Sequence, residues 1–332
     1  MKKVLITGAS GQDAIYLAKF LLDRGCELHL QSRSIKSSII AHPNSYSYVV
    51  DLKKPLELEN LCLKILPDEI YNLAAQSQPQ ASWEEPFDAC LINAMVPHRL
   101  LEFIRNHLPR CKLYQASSSE IFGNTRVSPQ DELTSFLPAT PYAVAKTYAH
   151  QIAGVYRAKY DLYACSGILF HHESPYRPLH FVTQKIAHSA ALVAEGITYS
   201  KETNEQGEPL LSDGKVALGN LEVLRDFGFS GDYVEAMWLM LQQEKPEDFV
   251  IGTGEAHSIK EICEIAFGYV GKDWTRHVRI DPRFIRASET RSTVANAEKA
   301  HRILGWKPKV RFQDLIEMMV QARMKNIRQT YR

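Results

Sequence analysis

The chain has 332 residues, 45% hydrophobic and 23% charged, which predicts a soluble globular protein with a sizeable core in one large domain or two. A formal charge of +1 supplies no broad basic field, so nucleic acid is excluded as a partner and any anionic ligand must be gripped by a few placed residues. Six scattered cysteines without a CxxC spacing predict buried, reduced thiols in a cytoplasmic protein and no metal site.

The opening "MKKVLITGAS" carries only four apolar residues before Gly8, which makes it a strand and not a signal peptide. No apolar run approaches the roughly 20 residues of a membrane span. Strand patterns follow at 27–31, 47–51, 69–75, 112–117 and 163–170, with helical patterns at 14–25, 55–65, 87–107 and 141–160 between most of them. This alternation predicts a doubly wound parallel sheet, an α/β fold of Rossmann type over residues 1–170. From 171 to 332 the rhythm breaks into helical patterns at 183–195, 231–244, 258–270, 296–304 and 312–329, with short strand candidates at 215–218 and 248–251. That half predicts a smaller mixed lobe over the sheet's carboxyl edge, some of whose strands and helices return to the large sheet. The polar stretch 198–215 reads as a surface loop or hairpin.

"TGASGQDA" at 7–14 lies between the first strand and the first helix. Gly8 and Gly11 permit a tight turn that brings backbone N–H groups to a pyrophosphate at the helix N-terminus, with Ala14 as the third small residue. The second strand ends in "QSRS", where Arg33 suits a 2′-phosphate better than the acidic residue an NAD site offers, so NADP is the predicted cofactor. Asp51 is placed to meet the adenine amine, and "NLAAQ" puts Leu73, Ala74 and Ala75 beside the pyrophosphate and the nicotinamide ribose. In "PYAVAKTYA", Tyr142 and Lys146 share a helix face four residues apart, and an ammonium beside a phenol favours the phenolate. In "QASSSEIFG", a lone carboxylate, Glu120, stands at a strand mouth two residues after Ser118. Period 2 points both to one side of the sheet's edge.

The glycine turn, "NLAAQ", Ser118 and the YxxxK pair resemble an extended short-chain dehydrogenase/reductase. "YNLAAQSQ", "QASSSEIFG", "PYAVAKTYA", "GILFHHESP", "FVTQKI", "LGNLEVLRDFGFSGDYVEAMWLMLQQ" and "DPRFIRASE" are similar, in order, to signatures of the GDP-mannose 4,6-dehydratase family. The resemblance implies that NADP takes a hydride from C4 of a GDP-hexose and returns it to C6, with loss of water across C5 and C6. It implies that Tyr142 removes the C4 hydroxyl proton, that Lys146 lowers its pKa and holds the ribose, and that Ser118 holds the C4 oxygen. Glu120 would take the C5 proton and serve the departing C6 hydroxyl. It further implies cofactor contacts from Ser10, Gln12, Asp13, Leu52, His172 and Arg177. Substrate contacts would come from Ser77, His171, Val182, Lys185, Arg225, Arg286 and Glu289, the arginines on the pyrophosphate and Glu289 on the ribose.

The chain departs from the family's pattern at several places. His171 replaces an asparagine that faces the nucleotide sugar, and Tyr176 replaces the first arginine of a pair in a loop that links subunits, which favours a homodimer over a homotetramer. Gln78, Trp83 and Ala287 replace a histidine, a phenylalanine and a proline, and segment 198–215 is longer than usual. Intact catalytic residues in an altered pocket leave GDP-mannose as the default and admit an N-acetylated hexose or a heptose. An NADP-dependent epimerase or reductase is a second reading, against which Glu120 argues, and a non-catalytic nucleotide-sensing protein a third, against which Ser118, Tyr142 and Lys146 argue.

Overall fold

The structure is a computed structural model describing residues 1–34, 40–54, 56–285 and 293–331. The strands of the first half are β1 (Lys3–Thr7), β2 (Glu27–Ser32), β3 (Ser45–Val49), β4 (Glu69–Asn72), β5 (Lys112–Ala116) and β6 (Ala164–Leu169). Those of the second are β7 (His171–Glu173), β8 (Leu211–Ser212), β9 (Lys215–Leu218), β10 (Leu224–Phe229), β11 (Phe249–Ile251), β12 (Ala256–Ser258) and β13 (Val278–Ile280). The helices are α1 (Gln12–Leu22), α2 (Glu57–Ile65), α3 (Ala81–Glu84), α4 (Pro86–Cys90), α5 (Val96–His107) and α6 (Pro141–Tyr160). They continue with α7 (Val182–Ala194), α8 (Ser230–Gln242), α9 (Ile259–Tyr269), α10 (Glu298–Leu304) and α11 (Phe312–Thr330).

Seven strands form one parallel sheet in the order β11-β6-β5-β4-β1-β2-β3, a Rossmann-type doubly wound topology. Its central strands are buried on both faces because helices cover both, whereas the edge strand β3 is largely exposed. Val4 and Ile6 of β1 pack with Leu17 and Leu21 of α1 and Met237 and Leu241 of α8. Leu5, between them, points to the other face, among Leu58 and Ile65 of α2, Leu100 and Ile104 of α5 and Ala153 of α6. The chain leaves this sheet at Leu169 and two residues later begins a smaller one, β12-β10-β7. A third sheet, β13-β9-β8, shares its core with α7, α9 and α11.

Several elements differ from the sequence reading for local reasons. β3 lies at Ser45–Val49 instead of 47–51: it is the sheet's edge, and its last residue pairs with Ser32, where β2 also stops. The helix read over 87–107 is broken into α4, a π-helical turn at Leu91–Met95 and α5. β7, β12 and β13 have three residues each, too few for a periodic signal, and β10 carries Arg225, Asp226 and Gly228 within six. Segment 198–215 contains the hairpin β8–β9, turned at Asp213 and Gly214, whose φ of 51° and 69° suit the twist of paired strands. Cys90 is exposed, against the expectation that all six thiols are buried. No helix among the described residues is long and apolar enough to cross a membrane.

Candidate active site

The carboxyl ends of the central strands are tied together by buried polar side chains. Thr7 Oγ1 donates to Asn72 Oδ1 (2.6 Å) and accepts from the Ala74 N–H (3.1 Å), and Asn72 Nδ2 donates to Gln115 Oε1 (2.7 Å). Gln31 Oε1 accepts from the Gly8 N–H (3.0 Å). Asn93, in the π-helical turn, holds both backbone groups of Gln76 at 3.0 and 3.1 Å. These residues set the rim of the site, and the sequence reading missed them. The only signal was a polar residue ending an apolar strand or interrupting an apolar helix.

On this rim Gly8 has φ +71°, and a Cβ there would meet Ala74 Cα at 2.8 Å. Gly11 caps α1 without a side-chain bond, so the first N–H groups of the helix face outward from a turn with no side chain in the way. A backbone cradle of this kind fits the pyrophosphate of a dinucleotide. Ser10 lies in the same turn, Leu73, Ala74 and Ala75 follow β4, and Asp51 and Leu52 follow β3. Arg33, just past β2, is exposed, as is Ser77. Gln12, Asp13 and His172 bond chiefly to the protein itself. Gln12 Nε2 donates to the His172 carbonyl (2.8 Å), His172 Nε2 lies 2.9 Å from Asp13 Oδ2, and the Ser230 hydroxyl donates to Asp13 (2.5 Å). Burial opposes ionisation of Asp13, but His172 and Ser230 outweigh it and hold the carboxyl below its ordinary range.

The candidate reactive groups come from the turn after β5 and from α6. β5 ends at Ala116, and Ser118 caps a 3₁₀ turn, Ser119–Ile121, its Oγ accepting the Glu120 N–H at 3.2 Å. Ser118 and Glu120 are therefore brought together by a serine-capped turn; the strand alternation expected from the sequence does not extend so far. Thr140 caps α6 through the Ala143 N–H (3.1 Å), and the Tyr142 N–H donates to Ser82 Oγ (3.1 Å), which fixes where the helix starts. One turn on, the Lys146 Nζ donates to the Ala116 carbonyl at 2.8 Å.

Both side chains are buried. Burial pushes the Tyr142 phenol up to about 12, against the Ser118 hydroxyl and Arg177, with Glu120 and Asp13 adding to it. Burial brings the Lys146 ammonium down to about 8, against the attraction of Asp13. The phenolate that the YxxxK spacing predicts is therefore not what the ligand-free site favours. Lys146 Nζ lies 6.0 Å from the centre of the Tyr142 ring, bonded to a carbonyl, and desolvation prevails. Glu120 faces a different neighbour, His171, whose Nε2 is 3.8 Å from its Oε1.

The remaining predicted contacts lie on the second half of the chain. Val182 begins α7, and Lys185, one turn on, is ion-paired with Glu205 of the 198–215 segment at 2.5 Å. Arg225, in β10, is buried and donates to the Leu224 carbonyl (2.7 Å). Arg177 pairs with Glu173 of its own chain at 3.1 Å and lies over the Phe181 ring. Arg286 and Glu289, with Ala287, are outside the described residues.

The family profile described as GDP-mannose 4,6 dehydratase matches residues 5–319. GDP-mannose 4,6 dehydratase 1 of Arabidopsis thaliana is 43% identical over 336 aligned residues, which cover 96% of this chain and 89% of that protein. GDP-mannose 4,6-dehydratase of Yersinia enterocolitica is 38% identical, covering 99% of this chain and 95% of its own. Among solved structures, UDP-glucose 4-epimerase of Thermus thermophilus, in complex with NAD, superposes with a TM-score of 0.82 at 25% identity over 97% of this chain and 98% of that one. A family match over residues 5–319 and relatives alike along nearly the whole length agree, and this chain belongs to the GDP-mannose 4,6-dehydratase family.

Proposed function

We propose that this enzyme is a GDP-sugar 4,6-dehydratase, with GDP-mannose as its substrate and NADP as its cofactor. The observation that carries the reading is a carboxylate, Glu120, on a turn whose backbone Ser118 caps, close enough to Tyr142 to act on its charge: an epimerase or reductase needs the tyrosine and the serine, whereas elimination needs a base of its own. The cofactor, when bound, accepts a hydride from C4 and returns it to C6. The Gly8–Gly11 turn and the N-terminus of α1 would hold its pyrophosphate, Arg33 its 2′-phosphate, and Lys146 its ribose.

Tyr142, whose phenolate the positive nicotinamide ring of the bound oxidised cofactor would favour against the effect of burial, accepts the proton of the C4 hydroxyl while Ser118 holds that oxygen. The ketone at C4 acidifies C5, and Glu120 removes the C5 proton. Lys185 and Arg225 grip the GDP half, where guanidinium gives paired bonds to phosphate. Free cysteines, five of them buried, support work in the reducing cytoplasm.

The test is a panel of GDP-, UDP-, CDP- and dTDP-sugars with NADP, read by mass spectrometry for loss of water. GDP-mannose is expected to lose water, and loss from a GDP-heptose alone would replace the substrate. Glu120→Gln is expected to bind GDP-mannose normally and to dehydrate it on the order of 10²–10⁴-fold more slowly. Undiminished turnover in that variant would remove Glu120 from the mechanism.

A further inference from the structure

Loss of water across adjacent carbons requires two proton movements: one away from C5, and one onto the C6 oxygen, because hydroxide is a poor leaving group. A single carboxylate can perform them only in sequence.

This chain has a second titratable group at that point. His171 opens β7 directly after the large sheet ends, and its Nε2 lies 3.8 Å from Glu120 Oε1. Its ring is set edge-on against Phe227, with centroids 5.8 Å apart. Two atoms 3.8 Å apart can both reach one hydroxyl oxygen placed about 2.8 Å from each. The contacts also have an order. The Tyr142 phenol interacts with the Ser118 hydroxyl, that hydroxyl accepts the Glu120 backbone N–H, and the Glu120 carboxylate lies beside His171. A hexose laid along these groups would meet them in the order C4, C5 and C6.

We propose that His171 is the general acid of the elimination and Glu120 its base, an assignment that rests on the dehydratase reading above. A protonated imidazole ring carries an N–H on each nitrogen and so can donate from Nε2. In the step, the C5–H bond breaks, its proton moves to Glu120 and its electron pair forms the C5=C6 double bond. The C6–O bond breaks as His171 Nε2 passes its proton to that oxygen, which departs as water. Glu120 gives its proton back to C5 when C6 is reduced. The proton Tyr142 took from the C4 hydroxyl leaves to solvent, and one from solvent restores the imidazolium, so the cycle closes.

The test compares wild type with His171→Asn, which installs the family's asparagine and keeps a polar side chain, on GDP-mannose and on GDP-6-deoxy-6-fluoromannose. Fluoride departs without being protonated. On GDP-mannose the variant is expected to lose about 10- to 100-fold in kcat with KM little changed, since Glu120 remains able to deliver its own proton. On the fluoro analogue it is expected to release fluoride at about the wild-type rate. Equal losses on both substrates would make His171 a positioning residue, and no loss on either would place the acid elsewhere; both results overturn the assignment. If wild type eliminates neither water nor fluoride, the dehydratase reading fails and takes this inference with it.

Discussion

Lys146 is placed where its charge is hard to keep. It is 3% exposed, and burial holds its ammonium near 8 against an ordinary value of 10.5. Because the folded pKa is the lower one, the penalty is fully present below pH 8 and is relieved as pH rises towards 10.5, where the unfolded chain also gives up the proton. Lys146→Met is therefore expected to abolish dehydration and yet raise the stability of the ligand-free protein at pH 7 by on the order of 1–3 kcal/mol. The gain should shrink between pH 8 and 10, as denaturant unfolding across that range would show. Arg33 makes the opposite case, an exposed residue proposed to act only towards a ligand: Arg33→Glu is expected to weaken NADP at least tenfold and leave NAD almost unchanged in a fluorescence titration. Residues of this kind can be proposed from the sequence because their chemistry is carried by type and spacing. Thr7, Asn72, Gln115 and Asn93 were not, since their role exists only once strands far apart in the chain lie side by side.

At the scale of elements, the buried strands and α6 were readable because an apolar run between turn residues has few alternatives. The break at Leu91–Met95 was not, because it answers to the loop after β4, through the two bonds from Asn93 to Gln76. The 198–215 segment shows the same dependence on tertiary partners. Its glutamates, spaced three apart, reach three places: Glu202 meets His188 at 3.2 Å and the Tyr331 hydroxyl at 2.8 Å, Glu205 meets Lys185, and Glu208 forms a forked pair with Arg283 at 2.8 and 2.9 Å. The Glu208–Arg283 pair is exposed and worth little alone, but with the two half-buried pairs to Lys185 and His188 it pins one polar strap between α7 and the Pro282–Phe284 turn. Replacing Glu202, Glu205 and Glu208 with Gln is expected to leave the melting temperature within a few degrees while accelerating tryptic cleavage at Lys201 several-fold, followed by mass spectrometry.

At the scale of the whole molecule, Val144, Tyr148 and Val155 form an exposed stripe along α6, beside exposed Trp83 and Phe87 of the preceding helices. We propose that two copies meet there as a homodimer. Val144→Glu combined with Val155→Glu is expected to halve the sedimenting mass in analytical ultracentrifugation, and an unchanged mass would locate the contact elsewhere. The large sheet has another consequence, in the timing of synthesis. Its terminal strand on one side is β11, which pairs with β6 although the chain between them builds other sheets and helices. On a ribosome β6 emerges long before residue 249 is made, a delay on the order of ten seconds at typical elongation rates. For that interval the nascent chain carries an apolar, unpaired strand edge, the surface that chaperones bind and that neighbouring nascent chains on a polysome would otherwise extend.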